Sequence, residues 1–406
     1  MTAFEFRLRR GRALHGILVL AVACLCFSNR QQAHVHVSAY AAFSRTAEEV
    51  SIPLAALCVG GLCSGVPGCR IPSKLMVFFG AQTGMLLLSK ILISRTVVSE
   101  ELGLYGLPAP FLMTALHQFM AVMMFGIGFL LSWTTPWPYM PQPLTKLSDV
   151  WWLLLFSASF AANIGLNNFS FQFLPLSLNL LLRSCLPIAT TAIQTCVPRK
   201  VPKSSTTFVK EIICMLCGIS CAALATLAQS KSKAAEPEHH YQLGLGVAIE
   251  TMSIFAGALN MVLANELGKR LNLGSMDMTF YMSLPAALFL LVPSIFLSSP
   301  SWPEEEPMTD CQVFSLVYQL APGVLGLACL LGVFACAYNV LQIDMAQSLS
   351  ATYTTFAGNF NKAMTVMISI TMGLERLPEG VWGFVMLLAT LGNISAFTVY
   401  SYLQLK

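Results

Sequence analysis

The sequence predicts an all-α membrane protein with ten transmembrane helices in two inverted five-helix repeats, and three observations lead there. Of 406 residues, 56% are hydrophobic and only 10% are charged, against roughly 25% charged in a soluble domain, and the mean hydropathy is +0.68. Apolar runs of about 20 residues, the length needed to cross a hydrocarbon core of roughly 30 Å, recur ten times. A polar stretch at 230–242 divides these runs evenly, five before and five after, which is the layout of an internally duplicated carrier.

Residues 1–72 stand apart as an N-terminal leader. A basic stretch, Arg7, Arg9, Arg10 and Arg12, precedes an apolar run from Leu14 to Phe27 that is too short for a span and reads as the apolar core of a signal segment at 14–27. The Ala- and Ser-rich sequence that follows leaves three alternatives open: a linker, the transit part of a plastid leader, which Glu48 and Glu49 oppose, and an amphipathic or disordered cytosolic tail. The first repeat, 73–229, holds runs near 73–94, 109–133, 150–173, 176–197 and 208–229; the second, 243–406, holds runs near 243–265, 277–299, 315–340, 346–372 and 380–403. Between them, turn formers and charges collect where the apolar runs stop: Pro136, Pro138, Pro141 and Pro143, then Pro198 to Pro202, then Pro300 to Asp310.

An odd number of spans per repeat makes the halves inverted, and short-loop Lys and Arg then set the orientation. Arg70, Lys74, Lys146, Arg199, Lys200, Lys203, Lys269, Arg270 and Lys406 fall on one side; Arg95, Lys231, Lys233 and Arg376 fall on the other with Glu304, Glu305, Glu306 and Asp310. Both ends of the ten-span core are expected to face the cytosol. The bilayer is therefore a partner, while nucleic acid is not expected, because the net charge of +4 forms no basic stripe interleaved with aromatics.

Several chemistries lack a foothold. The chain has no His-Glu-x-x-His, no Gly-x-Ser-x-Gly and no Walker-type loop, so neither an enzyme nor an ATP-driven pump is expected, and no cofactor or metal is called for. The 13 cysteines lie mostly inside apolar runs; Cys214 and Cys217 read as small buried hydrophobes rather than as a redox or metal pair. The Asn168-Phe169-Ser170 and Asn393-Ile394-Ser395 matches fall within spans and are not expected to carry glycans.

Charges inside the runs carry the functional signal, since an ionised side chain at the bilayer centre costs about 2.5–3.5 kcal/mol on insertion scales. Arg183 follows Pro175 by eight residues, roughly 12 Å into the fourth span, and Lys362 follows Ala351 by eleven, roughly 16 Å into the ninth. Those two spans hold equivalent places in the halves, so the cations are expected to face one central cavity and to bind an anion there. The alternative is a structural ion pair with Glu250. His117 reads as a packing residue or a proton relay, Glu266 as a helix-end charge, and Asn163, Asn167, Asn168 and Asn179 as interhelical hydrogen-bonding groups.

At these residues the chain resembles the drug/metabolite transporter superfamily, in its triose-phosphate translocator and nucleotide-sugar transporter branch, over roughly Ser73 to Tyr402. The carrying segments are Asn163-Ile164-Gly165-Leu166-Asn167-Asn168 with Leu174-Pro175-Leu176-Ser177-Leu178, then Tyr338-Asn339, Ser350-Ala351-Thr352-Tyr353 and Gly358-Asn359-Phe360-Asn361-Lys362. Arg183 stands where the branch commonly has lysine. Phosphate translocators carry arginine after the ninth-span lysine, and here Ala363 follows Lys362, which argues against a strict triose-phosphate exchanger. The Gly-Asn-Phe-Asn-Lys element is similar to the nucleotide-binding element of GDP-mannose transporters, and Phe280-Tyr281-Met282-Ser283 matches their seventh-span motif in part, without its two asparagines.

The resemblance implies a secondary antiporter exchanging a nucleotide-sugar for a nucleoside monophosphate across a Golgi or other endomembrane. Lys362 and Arg183 would hold phosphate, Tyr338 and Asn361 would donate nearby hydrogen bonds, and Gly358, Asn359 and Tyr281 would complete the substrate site. The second reading is a plastid-membrane translocator of phosphate and phosphorylated sugars. A homodimer is left open.

Overall fold

The computed structural model describes residues 55–63, 70–94, 96–99, 104–134, 139–174, 176–196, 205–232, 238–299, 308–349, 351–352, 354–355, 357–358, 361 and 378–405. The expected signal segment at 14–27, the loop Arg199 to Lys203, Asn359, Lys362 and Lys406 lie outside the described residues.

The described chain is built almost wholly of helices: α1 (55–63), α2 (Arg70–Ser94), α3 (Pro110–Ser132), α4 (Leu147–Ser170), α5 (Leu176–Arg183), α6 (Leu186–Thr195), α7 (Ser205–Ser232), α8 (Glu238–Arg270), α9 (Ser275–Phe296), α10 (Asp310–Leu320), α11 (Pro322–Ser348) and α12 (Val381–Leu405). Two short hairpins interrupt them. β1 (Val97–Ser99) pairs antiparallel with β2 (Leu104–Tyr105) between α2 and α3, and β3 (Ser298–Ser299) pairs with β4 (Met308–Thr309) between α9 and α10.

Seven of the described helices, α2, α3, α4, α8, α9, α11 and α12, contain stretches long and apolar enough to cross a membrane. The outward faces agree. Leu284, Leu288, Val292 and Ile295 on α9 and Phe384, Leu388 and Leu391 on α12 are exposed, whereas polar groups such as Asn163, Asn260, Glu250 and Thr83 are buried. A bundle in lipid has this polarity because its surroundings solvate apolar side chains and leave buried polar groups to pair with one another.

Two expected spans are cut by proline. The fourth, expected as one run over 176–197, is α5 and α6 joined by a turn at Ser184 and Cys185. Pro187 has no N–H with which to reach back to the Arg183 carbonyl, and its ring crowds that carbonyl, so the helix restarts. The eighth, expected over 315–340, is α10 closed by a bond from Ala321 N to Val317 O at 2.8 Å, then α11, which starts at Pro322 and runs on to Ser348.

Packing pairs helices that are distant in sequence. α3 lies against α9 and α11, α4 against α8, α2 against α11, α6 against α8, and α7 against α12. Small residues sit at these seams: Ala258, Ala264, Ala286, Ala328 and Ala346 have no exposed surface, which lets the backbones approach closely. α1 is docked on the same body. Leu57 joins a core of Val77, Phe78, Leu331 and Tyr338, and Ser73 Oγ donates to Gly60 O at 2.6 Å.

The start of α3 is held from across the chain. Its own Ala109 offers no side-chain cap, and Asp310 Oδ2 instead accepts from Phe111 N at 2.8 Å and Leu112 N at 2.9 Å. Asp310 is itself buried, placed by the capping box that Thr309 and Gln312 form at the start of α10. A carboxylate on otherwise orphaned helix N–H groups is stabilising. Asp310→Ala is expected to cost about 1–3 kcal/mol, read as a lower thermal unfolding midpoint of the purified protein, with Thr309→Ala costing less.

Candidate functional site: a buried Arg183–Glu250 pair among amides

Arg183 is the last residue of α5, at the joint that Pro187 creates. Its side chain keeps only 11% of its surface. Nε lies 3.2 Å from Glu250 Oε1 on α8, and the terminal nitrogen donates to Asn163 Oδ1 on α4 and, at 3.3 Å, to Ser253 Oγ on α8. Ser253 Oγ in turn donates to Asn163 O at 2.7 Å. The side chain is thus gripped by helices from both expected halves.

Glu250 is fully buried, and its two oxygens have different duties. Oε1 faces the guanidinium, while Oε2 accepts from Asn179 Nδ2 at 2.9 Å and from Ser170 Oγ at 2.9 Å. Asn179 also donates to Ser170 Oγ at 2.7 Å, and Asn168 Nδ2 on α4 donates to Thr114 Oγ1 on α3 at 2.7 Å. Burying either charge alone would cost several kcal/mol, so each is held in the interior by the other and by the hydrogen bonds around it.

Close helix approach is a condition of this geometry. A Cβ added to Gly257 on α8 would stand 2.7 Å from Asn163 Oδ1 and 3.0 Å from its Cγ, so the glycine makes the space in which Asn163 reaches Arg183. Gly257→Val is expected to push α8 off α4 and cost about 1–3 kcal/mol, lowering the unfolding midpoint. Gly326→Val, where an added Cβ meets nothing within 4 Å, serves as the control for helix propensity.

The other expected site residues divide into two places. Tyr338 is buried on α11 with its ring stacked on Phe78 at 5.7 Å. Asn361 Nδ2 donates to Gln82 Oε1 on α2 at 2.9 Å, and a Cβ on Gly358 would lie 3.7 Å from Gln82 Nε2, so Gln82, Gly358 and Asn361 meet at one point. Tyr281 is elsewhere: its hydroxyl donates to Gln142 O at 2.6 Å in the loop before α4, and its ring packs on Phe280. Nearby, Tyr139 bonds Asp277 at the start of α9. Asn359 and Lys362 lie outside the described residues.

Three polar residues whose partners the sequence does not reveal belong to this interior. Gln82 is one. Asn393 on α12 donates to Ser184 Oγ at the α5–α6 joint, 2.9 Å, and to Gly218 O on α7, 2.8 Å; Gln194 on α6 accepts from Thr352 Oγ1 at 2.9 Å. Each is an amide within an apolar run, a signal that marks interhelical bonding or a pathway. His117 is buried on α3.

The comparisons with known proteins bear on the chain as a whole. The model of the UAA transporter family matches residues 76–396. No curated protein sequence matches the chain. Among solved structures, one described as "Crystal structure of protein" is similar over 79% of this chain and 98% of its own, at 12% identity and a TM-score of 0.42.

Proposed function

Because the chain belongs to the UAA transporter family, within the nucleotide-sugar transporters of the drug/metabolite transporter superfamily, we propose that it is an antiporter exchanging a nucleotide-sugar for a nucleoside monophosphate across a Golgi or related endomembrane. The family match over 76–396 carries this reading. It also weighs against the second reading, a plastid phosphate translocator, as does Ala363 after Lys362.

The working architecture is ten spans in two inverted halves, 73–229 and 243–406, joined by 230–242. The pattern of packing supports it. In span numbers, α4 on α8 is third on sixth and α2 on α11 is first on eighth, while α3 on α9 is second on seventh and α7 on α12 is fifth on tenth. Exchanging the halves turns the third–sixth pair into the eighth–first pair and leaves the other two unchanged, as a pseudo-two-fold axis in the membrane plane requires.

In this carrier Lys362 and Arg183 hold the phosphates, because a fixed cation in a dry interior pairs with an anion that water has released. Tyr338 and Asn361 supply hydrogen bonds beside them, and Gly358 and Asn359 allow the substrate close to the ninth span. Tyr281, bonded to the loop before α4, borders the path of the base or sugar rather than the phosphates. Reconstituted vesicles loaded with UMP, GMP, CMP or AMP and offered a panel of nucleotide-sugars are expected to show saturable uptake of at least one. Exchange of inorganic phosphate or three-carbon phosphates with no uptake of any nucleotide-sugar would restore the plastid reading.

A further inference from the structure

The reading of Arg183 as a phosphate ligand meets a physical difficulty, since its Nε already faces a carboxylate at 3.2 Å. We propose that Glu250 is the carrier's resident anion: it holds Arg183 when no substrate is bound, and the substrate phosphate displaces it. This rests on the phosphate-binding role given to Arg183 above.

Three features of the site support displacement over a permanent brace. The carboxylate oxygens are divided, so that Oε2 stays bonded to Asn179 and Ser170 when Arg183 turns away from Oε1. Glu250 therefore keeps hydrogen bonds after the exchange of partners, which lowers the cost of leaving its charge in the interior. Arg183 ends a helix of eight residues at the turn Ser184–Cys185, so its side chain and joint can shift without breaking a run of helical hydrogen bonds. Finally, the pair bridges the expected halves: Arg183, Asn179, Ser170 and Asn163 come from one, and Glu250 and Ser253 from the other.

The last feature ties the pair to exchange. While Glu250 grips Arg183, the two halves are joined by a charged contact in a medium of low polarity, and the empty carrier resists reorienting. A phosphate that takes Arg183 dissolves that contact, so substrate on either side releases the halves to move. An exchanger in which only the loaded form crosses follows from such a competition.

The test uses the purified full-length protein and inorganic pyrophosphate, whose phosphates stand in for those of a nucleotide-sugar, read as thermal stabilisation against concentration. Glu250→Gln keeps the shape and removes the competing charge. Its pyrophosphate midpoint is expected to fall about tenfold or more below that of the wild type, and the gain is expected to vanish when Arg183→Gln is added. If Glu250→Gln does not fold, Glu250→Asp, which withdraws the carboxylate by one methylene, is expected to show a midpoint below the wild type. A midpoint equal to or above the wild type in the variant that folds, or a gain that survives Arg183→Gln, overturns the proposal. A brace that only supports the fold predicts lower stability in these variants and no tighter binding. Tightened pyrophosphate binding in a protein whose vesicles exchange no nucleotide-sugar removes the proposed substrate and leaves the role of Glu250 standing. Unchanged pyrophosphate binding with normal exchange removes the role of Glu250 alone.

Discussion

Lys362→Met is expected to abolish exchange while leaving insertion and stability near those of the wild type. Methionine keeps most of the volume of the lysine stem, and the ammonium it removes costs several kcal/mol to hold inside a span unless an anion offsets that cost. Loss of one charge-assisted contact to a desolvated phosphate lowers affinity by about 100-fold or more, enough to leave no measurable uptake at ordinary concentrations. Ala363→Arg, which restores the arginine of phosphate translocators, is expected to shift preference toward small phosphate compounds. Near-normal exchange by Lys362→Met at equal reconstituted protein would make Lys362 a structural charge and end the phosphate role assigned to it.

Arg183→Gln is expected to behave differently, because Arg183 has a resident partner. Removing the guanidinium strands the Glu250 carboxylate, which has no exposed surface, and breaking a buried pair by removing one partner costs about 3–5 kcal/mol. The low end applies here, since Oε2 keeps its bonds to Asn179 and Ser170. Both the unfolding midpoint and exchange are expected to fall. Adding Glu250→Gln leaves a neutral pair of amides, which should recover most of the stability and none of the exchange. Equal recovery of both would reduce Arg183 and Glu250 to a brace for the fold.

The apolar runs made the membrane class legible, because a spanning helix must supply its own hydrogen bonds and an unbroken apolar surface, and both leave a mark on length and composition. The breaks were less legible. Pro187 and the Ala321-Pro322 break lie inside stretches whose average hydropathy stays high, so counting apolar length runs straight over them. Once Pro187 is read as a missing donor to Arg183 O, the joint beneath the cation follows from sequence.

The position of Arg183 could be counted from Pro175, yet its choice of Glu250 could be named only as an alternative, because the pair is set by α5, α4 and α8 closing together. The roles of Gln82 and Asn393 are hidden in the sequence for a related reason. One amide in an apolar run says that a partner exists without saying where, and the partners, Asn361 and Ser184, are far away in sequence. Tyr281 shows the converse: a partial motif match names it for the substrate site without its surroundings, and in the fold its hydroxyl donates to Gln142 O in the loop before α4.

Obligatory exchange is the central functional claim, and counterflow in proteoliposomes tests it most directly. The full-length protein is reconstituted into vesicles that are empty or loaded with a single nucleoside monophosphate, and uptake of labelled nucleotide-sugars is followed in both. The account predicts saturable uptake only into loaded vesicles, for the nucleotide-sugar whose base matches the loaded monophosphate, and none with Lys362→Met. Equal uptake into empty and loaded vesicles, or no uptake of any nucleotide-sugar by correctly inserted protein, would contradict it.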